Sequence, residues 1–179
     1  ELAQIGAIAG TLGSSRLALT KEDGLGRDLV ISWMKQLEME VSIDAIGNVV
    51  GLWCGQKTER SLPPVMTGSH IDTVRSGGRF DGNLGVLAGL EVIQIIKEQD
   101  ISTKHPIAVS FFTGEEGSRF APDMLGSLVY VGGSDLETAL STISVDGKRL
   151  GSELEDIGYR GVAPCPGTTP KIFLELHIE

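Results

Sequence analysis

Cysteine is scarce in this chain of 179 residues: Cys54 and Cys165 are the only two. They share no CxxC spacing, so neither a zinc knuckle nor a redox pair is encoded, and they read as two reduced thiols of a cytosolic protein. Positive charge is also short. Lysine and arginine number 15 against 24 aspartates and glutamates, a formal net charge of −9. That balance argues against a nucleic-acid backbone as partner, which needs a basic patch. It favours solubility, and bound cations would offset part of it. No apolar run approaches the roughly 20 residues of a membrane span. The N-terminus lacks the charged-then-apolar order of a signal peptide, and there are no repeats or low-complexity tracts. What remains is an ordinary globular composition, 41% hydrophobic and 22% charged, long enough for one domain with a real core.

The apolar pattern sets out an alternation of strands and helices. Thr20-Lys21-Glu22-Asp23 resembles a capping box with Asp in place of the usual Glu. Behind it, Leu25, Leu29, Trp33 and Leu37 recur every four residues, as the buried stripe of a helix does. Residues 41–44 alternate like a strand, Gly47-Asn48 is a turn signal, and 49–53 form a second strand, so a hairpin is expected. Pro63-Pro64 leads into a short strand that runs into His70. Residues 71–82 read as a loop. Asn83 is placed to cap a helix whose apolar face is carried by Leu84, Leu87, Leu90, Ile93 and Ile96. The unbroken apolar run 107–112 is typical of a strand buried on both faces. Ser134-Asp135-Leu136-Glu137 marks the start of a short helix. A further helix is expected over 146–157 with Gly158 at its C-cap, and 171–178 alternate as a last strand. This order implies an α/β fold, a mixed, mainly parallel sheet flanked by helices. The chain opens in what looks like a helix at Glu1-Leu2-Ala3 and stops where a strand pattern is still running, which reads as an N-terminal fragment of a longer protein.

Three short stretches carry chemistry: Gly68-Ser69-His70-Ile71-Asp72 with Asp81 beyond it, Gly114-Glu115-Glu116-Gly117, and Leu176-His177. They hold two imidazoles and four carboxylates, a donor mixture that suits zinc, manganese, cobalt or nickel. Singly, each has a plain alternative. His70 and Asp72 form an i, i+2 pair on extended backbone, which is equally a surface His–Asp pair. Asp81 sits among glycines, as a solvated turn Asp does. Glu115 and Glu116 follow a buried strand, so one acid can bind metal while its neighbour accepts a proton; an acidic turn is the alternative. His177 in an apolar strand reads as a structural histidine, and His105 is assigned no function. Jointly they gain weight, because His70, Glu115–Glu116 and His177 all fall at strand C-termini, where α/β sheets gather their sites.

Order and spacing also match a family. The stretches that carry the match are Ser15-Arg16-Leu17-Ala18-Leu19-Thr20, Asp44-Ala45-Ile46-Gly47-Asn48 and Gly68-Ser69-His70-Ile71-Asp72-Thr73-Val74. They continue with Gly78-Arg79-Phe80-Asp81-Gly82, Glu115-Glu116-Gly117-Ser118-Arg119-Phe120-Ala121-Pro122, Met124-Leu125-Gly126-Ser127 and Leu176-His177-Ile178-Glu179. Across nearly its whole length the chain resembles the metal-dependent amidohydrolases that include N-carbamoyl-L-amino-acid hydrolases, allantoate amidohydrolases and β-ureidopropionases. These are a branch of the dinuclear-metal exopeptidase superfamily.

The resemblance implies a zinc-exopeptidase-like catalytic domain with two divalent metal ions (zinc, manganese, cobalt or nickel) per full-length subunit. It implies His70 and His177 on one ion, Asp81 bridging both and Glu116 on the second. Glu115 would be the general base for the attacking water, and Asp72 would orient His70. Substrates would be small ureido or carbamoyl compounds, the released carbamate decaying to carbon dioxide and ammonia. The family's second ion also takes a His from near the C-terminus, and its lid or dimerisation domain follows the position of His177 and grips the substrate carboxylate. Neither falls within these 179 residues. The full-length protein is therefore expected to be a cytoplasmic, homodimeric hydrolase, with no nucleic-acid or membrane partner, and the 179-residue chain to be inactive by itself. A dipeptidase or aminopeptidase of the same superfamily would use the same metals and base. A non-catalytic α/β binding module that kept the motif is the reading from another class.

Overall fold

Thr20 starts the first long helix. Its Oγ1 accepts the Asp23 N–H at 3.3 Å, and α1 follows over Lys21–Gln36. The computed structural model describes residues 1–178; Glu179, the last residue of the Leu-His-Ile-Glu stretch, lies outside the described residues. Ahead of α1, Leu2–Gln4 form one 3-10 turn where the sequence pattern predicts helix. The Asp23 carboxylate accepts the Leu19 N–H at 2.8 Å, one position before the N–H that a capping box closes on.

The expected leucine stripe is not the inner face of α1. Leu25 is 49% exposed, while Leu29, Trp33 and Leu37 are only partly buried. The buried side is Asp23, Gly26, Arg27, Val30 and Met34. Arg27 causes the offset. Its guanidinium pairs with Asp23 at 2.9 Å and donates to the Gly47 carbonyl at 2.7 Å and the Thr113 hydroxyl at 3.2 Å. A buried charge with those partners is tolerable, and hydropathy alone places it outside.

Strands β1 (Glu40–Ile43) and β2 (Val49–Trp53) make the expected hairpin, Ile43 opposite Val49. β3 (Val65–His70) and β4 (Ile107–Phe112) are separated by α2 (Asn83–Glu98). They pair in parallel, as a strand–helix–strand crossover requires. The sheet order is β1-β2-β4-β3-β5, where β5 is Ile172–Leu174. β2 is antiparallel to both its neighbours, and β3 is parallel to both of its own. Four of the five strands therefore point the same way. One sheet face packs against α1 and α2 through Val30, Met34, Val49, Val86, Ile93, Val109 and Phe111. The other holds a smaller cluster of Met66, Ala108, Phe112 and Tyr130. Among the described residues no helix is long and apolar enough to cross a membrane.

Three local expectations are corrected. Asn83 does not cap α2; Gly82 does, with φ +63°, and Asn83 is the first helical residue. The helix expected over 146–157 is α5, Leu150–Asp156. Its intended first turn is spent on a loop in which the Ser144 N–H donates to the Lys148 carbonyl at 2.8 Å, and Arg119 holds Asp146 at 3.0 Å. Gly158 follows α5 with φ +75°. The last strand ends at Leu174; beyond it Glu175 meets β3 through its side chain, accepting from Ser69 Oγ at 2.6 Å, in place of a further ladder pair. Two short helices, α3 (Leu125–Tyr130) and α4 (Leu136–Leu140), connect β4 to this region. Asp135 caps α4 by accepting the Thr138 N–H at 2.9 Å.

Candidate metal centre

The three parallel strands end on one edge, and each delivers a polar group there. His70 is the last residue of β3. Glu115 and Glu116 follow β4, and His177 lies three residues past β5. Asp81 reaches the same edge from the turn that starts α2. Close backbone approach makes this fit. A Cβ on Gly82 would stand 2.5 Å from the His70 ring, and one on Gly85 would stand 2.7 Å from the Leu176 carbonyl. Only glycine allows α2 to begin against both histidine segments.

The donor atoms face one another. His70 Nε2 lies 3.2 Å from His177 Nε2 and 3.7 Å from Asp81 Oδ1. His177 Nε2 is 3.4 Å from the same Asp81 oxygen. Glu115 Oε2 stands 3.2 Å from His70 Nε2. The far side of the His70 ring is fixed: Nδ1 is 2.9 Å from the main-chain oxygen of Asp72. In the neutral ring that contact puts the proton on Nδ1 and leaves Nε2 as a lone-pair donor aimed at the cluster. Asp72 therefore holds the ring by its carbonyl. Its carboxylate sits 3.9 Å from Nδ1, turned toward the N–H groups of Glu115 at 3.3 Å and Glu116 at 3.4 Å. Asp72 thus ties the loop after β3 to the loop after β4.

Burial and like charge make the cluster costly without a cation. Burial is the main cause that raises the Asp72 pKa to about 6, although His70 opposes it. Burial raises Glu116 as well, with His70 opposing and Asp81 and Glu115 adding to the rise. Burial works against a charged His70 ring, yet Asp72, Glu115 and Glu116 outweigh it and the pKa is raised. Among the described residues, Glu116 Oε1 is buried with no hydrogen-bond partner.

These features fit divalent cations. Ligands about 2.0–2.1 Å from a tetrahedral zinc stand about 3.3–3.4 Å apart, and His70, His177 and Asp81 meet that spacing within a few tenths of an ångström. The unpartnered Glu116 oxygen belongs to an acid whose pKa responds to His70 and Asp81, so it lies beside this group. Sequence reasoning missed the supports: Ser69, which anchors Glu175, and Gly85, against which Leu176 packs. Nothing in hydropathy or motif spacing distinguishes either of them.

A mixed α/β sheet that gathers such polar groups at its strand ends is an arrangement suited to hydrolysis, and the relatives of the chain are hydrolases. The family model for peptidase family M28 matches residues 48–163, and the chain belongs to that family. Within it the similarity is to carbamoyl- and ureido-cleaving enzymes. The N-carbamoyl-L-amino-acid amidohydrolase of Rhizobium meliloti is 42% identical over 180 residues, a match that takes in 100% of this chain and 42% of that protein. Ureidoglycolate hydrolase of Arabidopsis thaliana is 35% identical over 175 residues, 92% of this chain and 36% of that protein. The crystal structure of an amidase of the hydantoinase/carbamoylase family from Burkholderia vietnamiensis superposes with a TM-score of 0.95 at 48% identity, over 99% of this chain and 42% of that one. The chain thus spans less than half the length of these relatives.

Proposed function

We propose that these residues form the N-terminal part of the catalytic domain of a metal-dependent amidohydrolase that cleaves linear C–N bonds in N-carbamoyl-L-amino acids or related ureido acids such as allantoate. The observation that carries this reading is the convergence of His70, His177 and Asp81 with Glu115 against them. The amidohydrolase names of the relatives choose the substrate class. His70 and His177 would hold one divalent ion (zinc, manganese, cobalt or nickel), Asp81 would be shared, and Glu116 would hold a second. A bound cation supplies Lewis-acid activation of water and of the carbamoyl oxygen.

Glu115 is the general base. Its carboxylate takes a proton from water as the water oxygen bonds to the carbamoyl carbon. It then returns a proton to the leaving nitrogen as the C–N bond breaks. Carbamate and the free amino acid result, and carbamate decays to carbon dioxide and ammonia. Asp72 fixes the His70 ring and the two N–H groups that lead into Glu115 and Glu116. The remaining metal ligands, the groups that grip the substrate carboxylate and a homodimer contact would come from the rest of a full-length cytoplasmic protein, so this chain alone is expected to be inactive.

The family model belongs to a peptidase family, which favours a dipeptidase or aminopeptidase as second reading. Both are tested on the full-length protein by metal content and by hydrolysis of N-carbamoyl-amino acids, allantoate, ureidoglycolate and a dipeptide panel. Turnover of one ureido substrate, abolished by Glu115→Gln, is the expected result. Dipeptide cleavage alone would establish the second reading. Neither metal nor turnover would leave a binding module and refute both.

A further inference from the structure

Arg16 is fully buried, and among the described residues its guanidinium hydrogen-bonds to neutral carbonyl oxygens. Nε donates to Ile71 O at 2.8 Å, Nη1 to Leu2 O at 3.1 Å and Ile5 O at 2.9 Å, and Nη2 to Asn83 Oδ1 at 2.9 Å. Burial lowers the Arg16 pKa, with only the more distant charges of Asp23 and Asp72 opposing it; a buried cation with no direct ion pair among the described residues is expensive, and the chain makes room for this one. A Cβ on Gly26 of α1 would stand 2.9 Å from Arg16 Cδ. The identity of two of its partners explains the expense. Ile71 lies between His70 and Asp72, and Asn83 lies two residues beyond Asp81. Asn83 passes the grip on, its Nδ2 donating to Asp81 O at 3.2 Å and Arg79 O at 3.3 Å. The Arg16 backbone adds a second hold on the same loop. Its N–H donates to Thr73 Oγ1 at 2.8 Å, and its carbonyl accepts the Thr73 N–H at 2.9 Å.

We propose that Arg16 is a positioning residue that, through Asn83, sets the separation of the His70 segment from Asp81 and so readies the cluster to take a divalent cation. The planar fork is what the task requires. Nε and Nη2 diverge at a fixed angle toward two loop segments, which a lysine ammonium on a flexible stem does not reproduce. This inference rests on reading His70, Asp81 and His177 as metal ligands.

The test uses full-length, metal-free protein titrated with Co²⁺ alone. It is followed by visible absorption, with the melting temperature of the metal-free form measured in parallel. The variants are Arg16→Lys, Asn83→Ser and His177→Ala. Met34→Ala, which hollows the core between α1 and β2, is the reference for lost stability alone. Arg16→Lys and Asn83→Ser are expected to raise the Co²⁺ Kd at least about tenfold, while Met34→Ala melts lower yet binds within about twofold of wild type. If Arg16→Lys does not fold, Asn83→Ser decides, since it removes only the relay. Binding by both within about twofold of wild type would overturn the positioning role and leave the metal reading standing. Wild-type protein that takes no Co²⁺, or that binds no better than His177→Ala, would overturn the metal reading and the positioning role with it.

Discussion

Metal-free protein should lose stability as pH rises, and cobalt should abolish that loss. The Asp72 pKa is raised from 3.8 to about 6 by burial. The folded state therefore keeps a proton that the unfolded chain has already given up. The stabilisation is complete below pH 3.8 and is lost as pH climbs through about 6. A shift of about two units at 1.36 kcal/mol each amounts to about 3 kcal/mol. Asp72 is 2% exposed, so solvent screening takes little from that figure. His70, also raised, acts in the same sense, as does Glu116. About half of the Asp72 figure, ~1.4 kcal/mol, is still to be lost above pH 5, so at about 2–4 °C per kcal/mol for a domain of this size the melting temperature should fall by about 3–6 °C between pH 5 and pH 8 from Asp72 alone. The assay is scanning calorimetry after chelation, then with excess Co²⁺. The cation displaces the shared protons, so its stabilising shift should grow with pH over the same interval. Asp72→Asn supplies the control. Its amide stays neutral and meets one N–H of the Glu115–Glu116 turn unfavourably, so it should melt lower at pH 5 but with a flatter profile. A melting temperature that is level or rising from pH 5 to pH 8 without metal, with the same slope in Asp72→Asn, would refute the reasoning.

Other substitutions probe separate links. Glu115→Gln should lower kcat of the full-length enzyme by about 10²–10⁴-fold, with bound metal, measured by atomic absorption, unchanged. Gly82→Ala meets the His70 ring at 2.5 Å from a φ of +63°. The left-handed backbone alone costs about 1–2 kcal/mol, so both the melting temperature and Co²⁺ affinity should drop. Arg27→Met removes the partner of buried Asp23, whose Oδ1 already lacks one. An uncompensated charge of that kind costs about 3–5 kcal/mol, read as a lower urea midpoint.

The sheet was legible because its strands obey simple rules. Residues 107–112 are an apolar run, and β4 is buried on both faces apart from Ile107. Gly47-Asn48 turns the hairpin with Gly47 at φ +83°. The errors fall where polar groups are inside. The pattern of α1 points to the leucine row as the buried face because Asp23 and Arg27 count against the true one in any hydropathy pattern. Asn83 looked like a cap because helix starts favour Asn; its amide is instead engaged by Arg16 and the Asp81 turn. The strand expected to reach residue 178 ends at Leu174, and Glu175 is held instead by a side chain 106 positions away, which no local pattern encodes.

The candidate site divides along the same line. That His70, Asp81 and His177 converge could be read from residue type, because few combinations of histidine and carboxylate recur at strand ends. Their support could not. His70 and Asp81 are 11 positions apart, and the groups that set their separation come from Arg16 and Asn83, 67 positions apart. An arginine in an N-terminal loop carries no sign of that duty; only its burial among carbonyl oxygens shows it. Glu116 makes the complementary point. Its sequence position marks it as an acid after a strand, while its unpartnered buried oxygen marks an interaction the folded chain alone does not satisfy. Buried polar atoms are nearly all paired; of the described residues' three orphans, Asp23 Oδ1, Ser110 Oγ and Glu116 Oε1, only the last belongs to an acid whose pKa responds to both His70 and Asp81, which with the cost of burying Arg16 is why the proposed cation is placed there.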